Sequence, residues 1–128
     1  MAEYSIRKEV KDFDSAITRV KEKLKEEGFG VLTEIDVKAT MKEKLDIDFD
    51  KYVILGACSP SSAHEALIAE KEMGLLLPCN IIIYEDKGKT FVSAVDPVEG
   101  MSITGNEKLR SIAQKVKIQL DRVIGGLS

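Results

Sequence analysis

The sequence predicts an α+β domain with the element order β-α-β-(short α)-β-α-β-β-α, a mainly antiparallel sheet with helices packed on it. Two observations point there. The turn signal Asp86-Lys87-Gly88 joins two apolar runs, Ile81 to Glu85 and Thr90 to Val95, and such a hairpin forces antiparallel pairing. Phe29, Val31, Thr33, Ile35 and Val37 alternate cleanly, as in a half-buried strand of a sheet with helices on one face. Both features favour α+β over a doubly wound parallel sheet. At 128 residues, the chain reads as a single domain over 1–128.

Each element has its own local signal. Tyr4, Ile6 and Val10 share even positions, a weak first strand. Asp12 or Asp14 can cap the first helix, where Phe13, Ile17, Val20 and Leu24 recur at helical spacing until Gly28 stops it. After the alternating strand, Lys38 to Leu45 reads as a short helix. Asp46, Asp48 and Asp50 hint at a calcium loop. However, Lys51 stands where that loop needs glycine and Ala57 where it needs glutamate, so they are read as polar residues leading into a strand. Lys51 to Ala57 is apolar on both parities, which predicts a central strand covered on both faces or close to an interface.

Ser59 then caps a helix with Pro60 at its first position, predicted to run to about Met73 and end at Gly74. Asp96-Pro97 closes the last strand, and a glycine-containing loop follows. Thr104 and Glu107 can form a capping box. Leu109, Ile112, Ala113, Val116, Leu120 and Val123 are the stripe of a long final helix, ended by Gly125-Gly126.

Composition narrows the function. Charged residues make up 32% of the chain and the net charge is −3, with Lys and Arg interspersed among Asp and Glu. A phosphate backbone needs a basic stripe, so nucleic acid is not an expected partner. Aromatics are 5% and Trp is absent, which disfavours a base-stacking surface. The longest apolar runs, such as Leu75 to Leu77 and Ile81 to Tyr84, are too short to span a bilayer, and MAEYSIRKEV lacks the apolar region of a signal peptide. Two cysteines without a secretory signal suggest reduced thiols in a cytoplasm.

Chemistry concentrates between Leu55 and Asn80, which holds both cysteines, Cys58 and Cys79, and the only histidine, His64. Cys58 precedes the first turn of a helix, whose free N–H groups and dipole would stabilise a thiolate. His64, on the second turn, can act as a soft ligand or proton carrier. Cys79 opens the next strand. Antiparallel neighbours would put the two thiols at one sheet edge, whereas a parallel unit would hold them roughly 15–20 Å apart. The candidate ligand-binding residues are Cys58, Ser59, His64, Cys79 and Asn80. Cys58, Cys79 and His64 are the candidate metal ligands, with zinc the metal they would suit, although their spacing matches no common zinc or redox motif. Asp36 and Asp96 are the carboxylates at strand ends. Ser59, Ser61 and Ser62 lie near His64, but GACSP is not a nucleophile elbow. GKT at Gly88 to Thr90 is not a P-loop, and GFG at Gly28 to Gly30 leads from helix to strand, the reverse of a dinucleotide fingerprint. No catalytic residue is assigned; the chain reads first as a binding module, with an enzyme that uses Asp36 or Asp96 as acid or base the weaker alternative.

The segments Leu55-Gly56-Ala57-Cys58-Ser59-Pro60, His64 to Leu67 and Gly74-Leu75-Leu76-Leu77-Pro78-Cys79-Asn80 resemble the Domain of Unknown Function 302 family. Gly28-Phe29, Asp36-Val37-Lys38 and Asp96-Pro97 fit the same pattern, so the resemblance covers nearly the whole chain. The family usually carries Asn where Ser59 stands, an equally good cap, and often an aromatic at His64. The resemblance implies a TATA-binding-protein-like α+β fold with an antiparallel sheet, which would bring Cys58 and Cys79 toward each other. It implies no activity, because the family is uncharacterised, and the fold name does not imply DNA binding. Two functions are therefore expected in competition. One is a small-ligand, metal or thiol-redox binding module centred on Cys58 and Cys79. The other is a structural or protein-interaction homodimer with both thiols in its core and no ligand.

Overall fold

A computed structural model describes residues 4–128. Among them, five strands form one antiparallel sheet in the order β1-β5-β4-β3-β2. The strands are β1 (Ser5–Val10), β2 (Gly30–Asp36), β3 (Tyr52–Cys58), β4 (Cys79–Asp86) and β5 (Lys89–Val95). The helices are α1 (Phe13–Glu26), α2 (Val37–Leu45), α3 (Pro60–Ala69), α4 (Pro97–Ser102) and α5 (Arg110–Gly125). The α+β class and antiparallel sheet expected from the hairpin and the alternation are therefore observed.

α1 starts where the Asp12 carboxylate accepts from Ser15 N at 2.9 Å, a bond that holds the Asp12 carboxyl below the usual carboxylate range. It stops at Gly28, whose φ of +83° lets its N–H reach the Lys25 carbonyl while Phe29 N–H reaches Leu24 O at 2.8 Å. That stop turns Phe29 into the core beside Leu24. Asp86 pairs with Lys89 across the two-residue turn Lys87-Gly88, with φ of +52° and +80°, values that suit the primed turns of tight hairpins.

Val53, Leu55 and Ala57 of β3, Ile81 and Ile83 of β4, and Val92 and Ala94 of β5 pack with Val20 and Leu24 of α1 and Val116, Leu120 and Val123 of α5. One sheet face is thus sealed by two helices, and side chains of the opposite parity lie on the other face.

Four sequence expectations need correction. β2 is an exposed edge strand rather than a half-buried one, with Leu32 66% and Ile35 47% exposed. The register shifts between Val31 and Thr33, so Val31 pairs with Ala57 on the helix side while Ile35 pairs with Ile54 on the other. A bulge of one residue reverses the parity that the alternation assumed. α3 ends at Ala69 rather than near Met73, because Glu70 is extended and the Asn106 side chain donates to Ala69 O at 3.1 Å. Residues Lys71–Leu76 continue as a 3₁₀ turn that contains Gly74. Asp96-Pro97 opens a short helix, α4, where a loop was expected, with Asp96 Oδ1 accepting from Val98 N at 2.9 Å. Finally, the expected Thr104–Glu107 capping box is replaced by Asn106, whose Oδ1 accepts from Lys108 N at 3.0 Å.

Candidate functional site

The antiparallel pairing of β3 with β4 sets Ala57 opposite Cys79, so Cys58 and Cys79 meet at one end of the sheet. Both are free thiols, Cys58 partly exposed and Cys79 buried. They border a small cavity of about 20 Å³ between β3, α3 and α5. Phe29, Leu77 and Met101 supply apolar wall, and Ser59 and Ser62 also border it.

Close approach of the strands creates this corner. Gly56 pairs with Asn80 and Thr33, and a Cβ on it would lie 2.2 Å from Thr33 Oγ1 and 2.7 Å from Pro78 Cγ. Only glycine lets Pro78 sit down beside β3, and Pro78 leads directly into Cys79.

Ser59 and Pro60 start α3 as the sequence predicts, yet the Ser59 side chain makes no capping hydrogen bond. The first-turn N–H groups of α3 therefore lack the usual side-chain acceptor. Ser62, in the first turn of α3, is 4% exposed, and its Oγ is buried without a hydrogen-bond partner. A hydroxyl in that position costs about 1–3 kcal/mol, so it calls for an explanation.

Burial pushes the Cys79 thiol up to about 11 from an ordinary 9.0, and the neighbouring Cys58 adds to the shift. The fold therefore favours the protonated form. Folded-state stability is full below pH 9, where the unfolded thiol is also neutral. It falls between pH 9 and 11 as the unfolded thiol ionises, by about 2–3 kcal/mol in total. Thiol counting with an aromatic disulfide reagent at neutral pH is expected to find Cys58 in native protein and Cys79 only after denaturation. Equal labelling of both thiols in the native state would contradict the burial of Cys79.

The other candidates lie elsewhere. His64 is on the exposed side of α3 and does not border the cavity, and Asn80 is exposed on the helix-free face. Asp36 accepts from Ala39 N at 3.0 Å to cap α2, and Asp96 caps α4, so both carboxylates serve helix starts. Among the described residues, no three His, Cys, Asp or Glu side chains gather as a metal ion would need. Cys58, Cys79 and His64 thus form no ready zinc set.

The structure brings together Cys58, Ser59 and Cys79 from the expected set and adds Ser62. The signal for Ser62 was its spacing. A helix starting at Pro60 puts Ser62 and Ala66 on one face, and both are buried. A larger groove of about 290 Å³ runs along α4 and the start of α5, past Ser102, Glu107 and Arg110. It contains neither thiol and none of the unpaired buried polar atoms found among the described residues, so the smaller cavity is the better candidate.

No helix among the described residues is long and apolar enough to cross a membrane. Among curated proteins, none matches the sequence. The crystal structure of uncharacterized conserved protein DUF302 from Bacillus stearothermophilus is similar, with a TM-score of 0.93 and 29% identity. That match covers 99% of this chain and 100% of the other. The profile of the family described as Domain of unknown function DUF302 matches residues 5–127, and the chain belongs to that family.

Proposed function

We propose that the chain is a small-ligand-binding module whose site is the cavity between Cys58, Ser62 and Cys79. The unpaired Ser62 Oγ is the observation that carries this reading, since Ser62 borders the cavity beside a helix start and its buried hydroxyl has no partner until a guest supplies one. The ligand's chemistry follows from the walls. About 20 Å³ admits one or two non-hydrogen atoms, so only the tip of a molecule enters. The surroundings that keep Cys79 protonated also penalise an anion, so the tip is neutral. A hydroxyl or carbonyl on a short apolar body fits best. This chemistry fits the corner better than metal binding, since among the described residues no three His, Cys, Asp or Glu side chains gather. Cys58, at the partly exposed side, is the residue a bound molecule would pass. A reducing cytoplasm would keep both thiols free.

Titration with 1-propanol and 2-butanone, followed by amide NMR, tests the proposal. Saturable shifts centred on Cys58 through Ala66 and on Leu77 through Cys79 are expected, and they should vanish in Ala63→Val, which fills the space. Shifts scattered over the surface, or none at all, would defeat it.

A further inference from the structure

We infer that the helix-free face of the sheet docks a second copy of this chain, face to face, about a two-fold axis running across the strands. The pairing register lays two rows side by side on that face. One is Glu9, Phe91, Tyr84 and Tyr52, and the other is Arg7, Ser93, Ile82, Ile54 and Ile35. The aromatic row is continuous, with ring centroids 5.5 Å apart from Tyr52 to Tyr84 and again from Tyr84 to Phe91. Phe49 extends it at 6.2 Å from Tyr52. Phe91, Tyr84, Tyr52, Ile82 and Ile54 are only partly buried, and Ile35 and Phe49 are exposed. Contiguous apolar surface of this kind marks an interaction site. It also explains why β3 is apolar on both parities although α1 and α5 cover one face only.

Two features choose a second copy as the occupant. The first is charge. Arg7 and Glu9 are the charged residues of these rows, opposite in sign and on one strand. A two-fold axis between the rows would place each aromatic row on the isoleucine row of the other copy. It would also set each Arg7 beside Glu9 of the second copy. The surface is thus self-complementary, as an isologous interface must be. A nucleic acid or an acidic peptide would instead need an excess of positive charge. The second feature is size. Strands about 4.8 Å apart, rising about 3.4 Å per residue, make the face roughly 24 Å by 20 Å. That outline encloses about 480 Å² in projection, and side-chain relief raises its accessible area toward the ~800 Å² per partner of a standard interface. Packing of two sheets by such faces is a common architecture.

Sedimentation equilibrium of the full chain at micromolar concentration tests this, with circular dichroism to confirm folding of each variant. Wild type is expected at twice the 14.2 kDa chain mass, and Ile82→Lys at the chain mass itself. Ile82 is only partly buried, so lysine there leaves the core alone. Arg7→Glu should weaken association by about tenfold or more, through repulsion from Glu9 of the second copy. The double variant Arg7→Glu/Glu9→Arg should recover most of that loss. A monomeric wild type would overturn the inference. So would a dimer indifferent to Ile82→Lys, or a charge swap that fails to rescue.

Discussion

Gly56→Ala is expected to destabilise the fold by about 2–3 kcal/mol, measured by urea denaturation. The added carbon would sit 2.2 Å from Thr33 Oγ1 and 2.7 Å from Pro78 Cγ, and atoms cannot share that space. Backbone strain is not the cause, since Gly56 lies within β3 and its φ is not positive. The cost is steric and falls on two neighbours of unequal stiffness. Thr33 lies on the exposed edge strand and can swing its hydroxyl away, whereas the Pro78 ring is rigid and tied to Cys79. The double variant Gly56→Ala/Thr33→Ala should therefore recover only the smaller part of the loss, with the rest remaining at Pro78, a coupling that independent sites would not show. A functional readout accompanies the energetic one. Pushing Pro78 outward loosens the start of β4, so Cys79 should react with a thiol reagent faster in Gly56→Ala than in wild type. Full stability, or an unchanged Cys79 rate, would refute the account of this corner.

Elements whose signals are local were legible in the sequence. Asp12 with Gly28 bounded α1, the stripe from Leu109 to Val123 marked α5, and Lys87-Gly88 marked the hairpin, because each depends on residues within a turn of one another. Long-range contacts were not legible. The end of α3 is set by Asn106, 37 positions beyond Ala69, and no window of sequence around Gly74 contains it. The bulge near Leu32 is similar: the alternation from Phe29 to Val37 is real, but one extra residue sends Val31 and Ile35 to opposite faces. α4 was hidden by Gly100, a poor helix residue that disguised the Asp-Pro start. At the site, antiparallel topology was enough to bring the two thiols together. It could not show that His64 faces solvent, since that depends on which side of α3 meets α5. Nor could it show that Ser62, rather than His64, supplies the buried polar atom.

That exchange leads to a second expected result: Ser62→Ala makes the protein more stable while abolishing the binding proposed for it. Removing a buried hydroxyl that has no partner, on a residue 4% exposed, relieves about 1–3 kcal/mol of desolvation. Alanine also has the better helix propensity, by up to about 0.5 kcal/mol. The loss of one packed oxygen offsets part of this, so a net gain of about 1–2 kcal/mol is expected by urea denaturation, with a melting temperature several degrees higher. The same variant should lose the saturable amide shifts expected with 1-propanol, because the cavity wall no longer offers the Ser62 hydroxyl. Stability given up at one polar atom in return for recognition is the trade expected of a binding site. A purely structural serine behaves differently: its replacement would destabilise the fold and would leave small-molecule binding untouched. If Ser62→Ala lowers stability, its Oγ must already be satisfied within the native fold, and no hydroxyl is left at this corner for a ligand to bond.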